Sequence, residues 1–290
     1  MRTRIWMVLL AVVSVLAAGC GGGIKNTTRV PAAEIRPSLE ATVDQLVEQY
    51  NQQARAVRSL NAGVDLNPVA GSTYTGVIED YHDVRGFILA QRPANIRMIG
   101  QAPVVAKNIF DMVSDGETFR IFIPSKNKFV VGPTQLERPV KKPIENLRPQ
   151  HLLDALFWQE LPAGKTVLFE EFDAAPQRYY VLTQVRGTDG LEIAKRIWFD
   201  RADLNIARIQ VYGARGRLVA DIRYADWQPA GDLRYPRHVW LVRPHDDYQL
   251  EVRITKLMLN EVIAAERFRL EQPLGTELVR VGEESKEARP

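Results

Sequence analysis

The stretch RGFILAQRPANIRMIGQAPVVAKNIFDMVSDGETFRIFIP, residues 85–124, decides the fold that this sequence predicts. Its four short apolar runs are 84–91, 95–101, 108–113 and 117–123. An Arg-Pro step, a Pro-Val-Val corner and an Asp-Gly pair separate them. An Asp-Gly pair between alternating runs is a strong hairpin signal, because both central positions of such a turn tolerate positive φ. We therefore predict a meander of antiparallel strands.

The apolar side chains of this meander are not confined to one face. In run 84–91, for example, Phe87 lies on one predicted face and Ile88 on the other. A sheet with one solvated face should alternate more cleanly between apolar and polar residues. We therefore expect this sheet to be covered on both faces.

The first nineteen residues are typical of a lipoprotein signal peptide. Two arginines form a charged start, and residues 5–18 are an uncharged apolar run that is short for a membrane span. The sequence LAAGC at residues 16–20 resembles a lipobox, which implies cleavage before Cys20 and acylation of that residue. An ordinary signal peptide with an incidental cysteine, or an uncleaved anchor, is the alternative.

The segment after the signal peptide is predicted to be a lipid-anchored flexible tether, residues 20–37, because it is rich in glycine and small polar residues. Acylation would anchor Cys20 to a membrane and leave no thiol for other chemistry. Loss of residues 1–19 removes two arginines and lowers the formal net charge from +3 to +1. The basic pI therefore gives no support for nucleic-acid binding.

Two helices are predicted beside the sheet. Residues 38–60 place apolar side chains at steps of three and four, with Ser38 as the N-cap. Residues 149–158 begin with Pro149 and crowd leucines on one side. So short a helix needs packing to be stable. Both apolar stripes must therefore lie against the sheet.

The second half of the chain is predicted to consist of strands at regular spacing. These strands are 166–172, 178–186, 191–199, 206–212, 217–227, 237–243 and 248–259. With a strand at 73–80 and the meander, they make about eleven antiparallel strands in one large curled sheet that the helices plug. The predicted class is mainly β with α (α+β), in one domain over residues 38–280, followed by a disordered tail over 281–290.

Several short motifs resemble the LolA/LolB superfamily of periplasmic lipoprotein carriers and outer-membrane receptors. They are Arg92-Pro93, Ser114-Asp115-Gly116, Pro124, Leu259-Asn260, Phe268, Pro273 and Gly275. The resemblance spans roughly residues 38–280. It implies a half-open antiparallel barrel whose concave face, closed by helices, holds acyl chains. The lipid anchor is closer to LolB, and the greater length departs from LolA, so a receptor, a lipid carrier and a sensor all stay open.

The resemblance also assigns individual residues. Arg92 falls where an arginine of LolA holds the lid by bonding to lid backbone, so we expect it to latch the 149–158 helix or its flanks. A surface arginine before an edge proline is the alternative. Val104 is similar to an apolar loop residue that touches the membrane in LolB. Candidate residues for the acyl cavity, each of which could also be plain core, are Ile96, Met98, Phe110, Met112, Phe119, Ile121, Leu152, Leu156 and Phe157.

No pattern in the sequence is typical of an enzyme. Three histidines lack a second ligand type at metal-site spacing, and His245-Asp246-Asp247 is typical of a turn. No nucleophile elbow, phosphate loop or dinucleotide fingerprint is present. We interpret Trp198, Trp227 and Trp240 as packing residues rather than as a platform for sugars or bases. We therefore expect no catalysis, no cofactor and no metal.

The sequence thus predicts a periplasmic protein that is lipid-anchored through Cys20, binds acyl chains of lipoproteins or lipids, and takes part in their transport or insertion. Gly21, rather than an aspartate, implies the outer membrane by the sorting rule of enterobacterial lipoproteins. Other envelope transport proteins remain open as partners. The alternative is an adaptor lipoprotein whose barrel is filled by its own side chains. An open apolar cavity under the 149–158 helix would distinguish the two, and an envelope hydrolase would need polar groups converging there.

Overall fold

A computed structural model describes residues 37–72, 76–80, 84–102, 107–134, 148–162, 167–174, 176–187 and 190–281. The predicted signal peptide, Cys20 with nearly all of the tether, Val104 and residues 282–290 lie outside the described residues. In the described ranges, no helix is long and apolar enough to cross a membrane.

The described residues form two α-helices and fifteen β-strands. The helices are α1 (Val43–Ala56) and α2 (Pro149–Leu156). The strands are β1 (Ser59–Ser72), β2 (Val77–Asp80), β3 (Val84–Gln91), β4 (Asn95–Gln101), β5 (Asn108–Ser114), β6 (Thr118–Ile123), β7 (Lys128–Pro133), β8 (Val167–Ala174), β9 (Gln177–Arg186), β10 (Glu192–Asp200), β11 (Ile206–Tyr212), β12 (Leu218–Ala230), β13 (Leu233–Arg243), β14 (Tyr248–Leu259) and β15 (Glu277–Arg280).

These strands form one large open sheet. Its order is β15-β7-β6-β5-β4-β3-β1-β14-β13-β12-β11-β10-β9-β8, with β2 paired to the end of β1. The last strand, β15, runs parallel to β7, whereas the predicted meander is antiparallel throughout. The sequence predicted about eleven strands in a half-open barrel, but the structure has fifteen in a sheet that does not close. The mainly β class with two helices is confirmed.

Strand β1 joins the two halves of the sheet, and the sequence did not predict it. It pairs with β3 over Ser59–Leu66 and with β14 over Leu60–Ala70, with a register shift after Gly63. Glycine and proline weaken a strand signal, and β1 holds both. Pairing on both sides outweighs that weak local preference. Two further strands, β7 and β15, were also not predicted.

Helix α1 is shorter at both ends than the predicted 38–60. Its N-cap is Thr42 rather than Ser38, because Thr42 Oγ1 accepts from the Gln45 backbone N–H at 3.3 Å and Gln45 Oε1 accepts from the Thr42 N–H at 2.8 Å. This reciprocal pair is a capping box. The chain then turns extended at Val57 and continues into β1. Helix α2 likewise ends two residues before the predicted 158.

Both faces of the sheet are covered at β5–β7, as the apolar pattern indicated, but not at β3, where Phe87 is 51% exposed. The two helices lie on the concave face, where the main core forms. On the other face, Leu270 of the C-terminal segment packs against Val113 and Phe129. Arg97 Nη1 donates to the Arg267 carbonyl at 3.0 Å and fastens the same segment.

The described residues from Ser38 onward form one compact unit. Every described strand and helix and the whole core cluster belong to it. The unit therefore contains the core contacts that it needs to fold by itself.

Candidate ligand-binding cavity

A cavity of about 480 Å³ lies between the two helices and the second half of the sheet. This volume falls within the roughly 300–1,000 Å³ that small-molecule sites occupy. Its lining residues are Tyr50, Thr134, Arg148, Gln150, His151, Asp154, Trp158, Gln159, Lys195, Ile209, Val211, Val219, Ala220, Ile222, Arg243 and Asp246. One wall is thus mainly aliphatic and the other is polar and charged.

The aliphatic wall belongs to β11 and β12. Side chains of a strand alternate between faces, and Ala220 and Ile222 face the helices while Asp221 and Arg223 face away. On β11, Val211 is the register partner of Ala220, and Ile209 is that of Ile222. Two neighbouring strands therefore give the cavity a continuous apolar floor.

Two opposite charges line the cavity, Lys195 from the sheet and Asp154 from α2. Burial lowers the pKa of the Lys195 ammonium, with the Asp154 charge acting against this shift. Burial raises the pKa of the Asp154 carboxyl. The charge of Arg243, a hydrogen bond from Gln150 and the charge of Lys195 act against this shift. The Asp154 side chain is exposed to the cavity although protein surrounds it. The two groups are coupled electrostatically but do not form an ion pair.

His151 is held as a neutral imidazole at the edge of the cavity. Burial, followed by the charges of Arg243 and Arg148, lowers its pKa well below the usual value. Its Nδ1 lies 2.5 Å from the Tyr248 hydroxyl, and the two rings stack with centroids 5.9 Å apart. Arg243 itself is paired, Nε to Asp246 Oδ2, at 2.5 Å.

Arg92 connects the ends of both helices. Its Nε donates to the Val57 carbonyl at 2.9 Å, and its Nη2 donates to the carbonyls of Ala54 at 2.9 Å and Trp158 at 2.7 Å. The last carbonyls of a helix have no partner within it. Burial lowers the pKa of Arg92, with Glu160 and buried tyrosines acting against this shift. The contacts join α1 to the segment after α2, and the latch role of Arg92 stays a prediction.

Buried tyrosines fasten the C-terminal end of α2 as well, which the sequence did not reveal. The hydroxyls of Tyr224, Tyr235 and Tyr50 donate to the carbonyls of residues 155, 156 and 159 at 2.8, 2.8 and 2.9 Å. Burial raises the pKa of all three phenols, so they remain neutral donors. This end of α2 is therefore bound firmly to the sheet and to α1.

The nine predicted cavity residues meet in the core rather than at the cavity. Six of them belong to the main core cluster, Phe110 and Ile121 pack against it, and Phe119 is buried beneath the Arg148 guanidinium at 4.5 Å. None of the nine lines the cavity described above. They fill the space between α2 and strands β4–β6. Contact between these residues and an acyl chain stays a prediction.

Two of the tryptophans that were interpreted as packing residues lie on opposite faces of the sheet. Trp227 packs on the core, 5.8 Å from the Trp158 ring, as interpreted from the sequence. Trp198 alternates with the buried Ile197 and Phe199, so it faces away from the core. There it stands edge-on to the rings of Phe172 and Tyr179. Among the described residues, no group of three or more side chains could hold a metal.

The residues that sequence reasoning missed are Lys195 and Asp154. Lys195 shares one face of β10 with the buried Ile197 and Phe199, and this alternate spacing is a usable signal for its face. A register shift between Ile193 and Lys195 interrupts the alternation on the other side of Lys195. Asp154 looks like an ordinary polar position of a short helix.

Comparison with known proteins supports the fold. No protein-family model and no curated protein matches the sequence. The chain is similar to the crystal structure of a LolA superfamily protein from Nitrosomonas europaea, at 12% identity over 80% of this chain and 99% of that one, with a TM-score of 0.47. A DUF1329 family protein from Desulfovibrio piger is 11% identical over 77% and 94%, with a TM-score of 0.51.

A third similar structure is an outer membrane lipoprotein-sorting protein domain from Vibrio parahaemolyticus, 9% identical over 77% of this chain and 94% of that one, with a TM-score of 0.45. Of the three, only the likeness to the DUF1329 protein has a TM-score above 0.5, and at 11% identity it concerns the fold alone. It supports the mainly β fold with one large open sheet, and the other two likenesses carry no argument.

Proposed function

We propose that this chain is an envelope lipoprotein that holds the acyl chain of a lipid or lipoprotein and takes part in its transport or insertion. The observation that carries the proposal is the cavity beside α2. Its apolar floor suits a hydrocarbon chain, and its polar wall suits a headgroup. The motifs that resemble LolA and LolB, and the fold, agree with it.

Burial of hydrocarbon is sufficient to drive such binding. Each methylene that leaves water contributes about 0.8 kcal/mol. A long chain is then held strongly and leaves only when the acceptor offers similar burial. Transfer of this kind needs no covalent chemistry, so the proposal is a binding function and not catalysis.

The remaining parts of the proposal follow from the sequence. We assign Cys20 as the acylated anchor, the outer membrane as the site of action, Val104 as a membrane-contacting loop residue and Arg92 as the latch between the helices. The packed residues at the other side of α2, including Met98, Met112 and Leu156, would meet an acyl chain if it extends beneath the helix. Their present burial also fits the adaptor alternative, in which the protein's own side chains fill the sheet.

Native mass spectrometry of residues 38–290, the unit that carries the whole described fold, tests the proposal. The protein would be purified from a bacterial host and then incubated with a diacylated lipopeptide or with phospholipid. Co-purified or added acyl ligand should appear as a retained mass. We expect Ala220→Phe, which places a ring in the cavity floor, to abolish that retention.

The matched control is Ala225→Phe, the same change on the opposite face of β12, where Ala225 is the register partner of His238. It should leave ligand retention unchanged. Urea unfolding of both variants checks that each is folded. An apo mass for the unmodified protein, with no retention of any added acyl ligand, would reject the proposal in favour of the adaptor.

A further inference from the structure

Lys195 places a positive charge within an otherwise apolar part of the sheet face. On β10 it shares the concave face with the buried Ile197 and Phe199. Its register partner on β11 is Val211, which in turn is the register partner of Ala220 on β12. The floor of the cavity thus begins with an ammonium and continues as hydrocarbon.

The ammonium of Lys195 keeps unused hydrogen-bonding capacity. It has three donors, and among the described residues its single hydrogen bond is to the Tyr50 hydroxyl, at a long 3.4 Å. No carboxylate of the described chain lies within ion-pair distance of it. Burial lowers its pKa, with the charge of Asp154 acting against this shift. An anion that enters the cavity would supply the missing acceptors.

The neighbouring charges already have partners. Arg243 is paired with Asp246, and Asp154 accepts a hydrogen bond from Gln150. Arg148 lies over the ring of Phe119 and is only 3% exposed, whereas Lys195 is partly exposed. Lys195 is therefore the cation of the cavity best placed to receive a ligand.

The volume of the cavity suits a ligand with one acyl chain. Its size, about 480 Å³, lies in the lower half of the roughly 300–1,000 Å³ that single small-molecule ligands occupy.

We propose that the cavity selects an amphiphile with one acyl chain and an anionic headgroup, whose carboxylate or phosphate accepts hydrogen bonds from Lys195 while the chain lies along Val211 and Ile222. This inference rests on the proposed acyl-binding function and deepens it by naming the ligand class. Asp154 faces the same space from α2, and its negative charge opposes the ligand's. Removal of that charge should therefore strengthen the binding of anions.

The test is calorimetric titration of residues 38–290 with three single-chain ligands below their micelle concentrations. Palmitate carries a carboxylate, palmitoyl lysophosphatidate carries a phosphate, and monopalmitoylglycerol carries neither. We expect at least one anionic ligand to bind about tenfold or more tightly than the neutral one, as a hydrogen bond to a charged group provides. The two anionic ligands distinguish a fatty acid from a phospholipid source.

Lys195→Met keeps the aliphatic stem and removes the charge. It should abolish the preference for anions and leave the affinity for monopalmitoylglycerol unchanged within about twofold. Lys256→Met, at an exposed position of β14, is the matched control and should change nothing. Asp154→Asn should raise the affinity for the anionic ligands and leave the neutral one unaffected.

The outcomes separate the two proposals. Equal binding of all three ligands, unaltered by Lys195→Met, would overturn the headgroup inference and leave acyl binding intact. Absence of binding by every ligand would overturn both. A preference for anions that survives Lys195→Met would show that another group holds the headgroup and would also overturn the inference.

Discussion

The two halves of the concave sheet face differ in what lies between them and α2. Beside β4–β6 the space is filled by side chains such as Met98, Met112 and Leu156, each at most 2% exposed. Beside β10–β13 it is a cavity in which charged groups face aliphatic ones. One short helix therefore has a packed core on one side and an open cavity on the other. Packing alone stabilises the first, whereas a ligand could add stability to the second.

The largest effect should come from deletion on the filled side. Leu156→Ala should lower the free energy of unfolding by about 2–5 kcal/mol, because a buried void forms that the surroundings cannot close. Val211→Ala, on the cavity side, should cost about 1 kcal/mol or less, because its methyl groups already border open space. Urea denaturation measures both values. Equal costs would show that the two sides are packed alike.

The next effect should come from Arg92, which joins the helices across both halves. Arg92→Ala removes three hydrogen bonds to backbone carbonyls and should lower the free energy of unfolding by about 3 kcal/mol. Arg92→Lys should recover only part of this, since an ammonium lacks the planar fork that reaches several acceptors. Chemical denaturation gives both numbers.

The reference for these changes is Arg223→Ala, at an exposed position on the other face of β12. We expect it to stay within about 0.5 kcal/mol of the unmodified protein. If Arg92→Ala costs no more than this reference, the three hydrogen bonds do not hold the helices together.

The smallest effect should be a pH dependence confined to the cavity side. The pKa of His151 is lower in the folded chain than in the unfolded one, so below its usual value the unfolded chain binds more protons. Its contribution to stability is full above that value and is lost as the pH falls through it, by at most about 1.4 kcal/mol per pH unit. Urea unfolding between about pH 7.5 and about pH 5 measures it.

His151→Gln should flatten this dependence while it keeps a polar group beside Tyr248. A variant of a filled-side residue, such as Leu156→Ala, should lower stability by the same amount at every pH. If His151→Gln leaves the slope unaltered, the imidazole is not the group that titrates.

Most of the strands and the short helix could be predicted from the local sequence pattern. The meander over β3–β6 and most strands of the second half follow from alternation and from turn chemistry such as Asp115-Gly116, whose effects are set by neighbours in the chain. The helix at Pro149 follows from a proline that fits the first turn and from leucines on one side. Arg92 could be singled out only because its motif resembles one in a known superfamily.

Other features depend on residues far apart in the sequence. Strand β1 has a weak local signal and forms because β3 and β14 flank it. The cavity that Lys195 lines depends on how α2 meets two distant sets of strands. Alternation and turn preferences are short-range and can be read along the chain. The side of a helix that packs and the side that stays open are settled only when long-range pairing has positioned every wall around it.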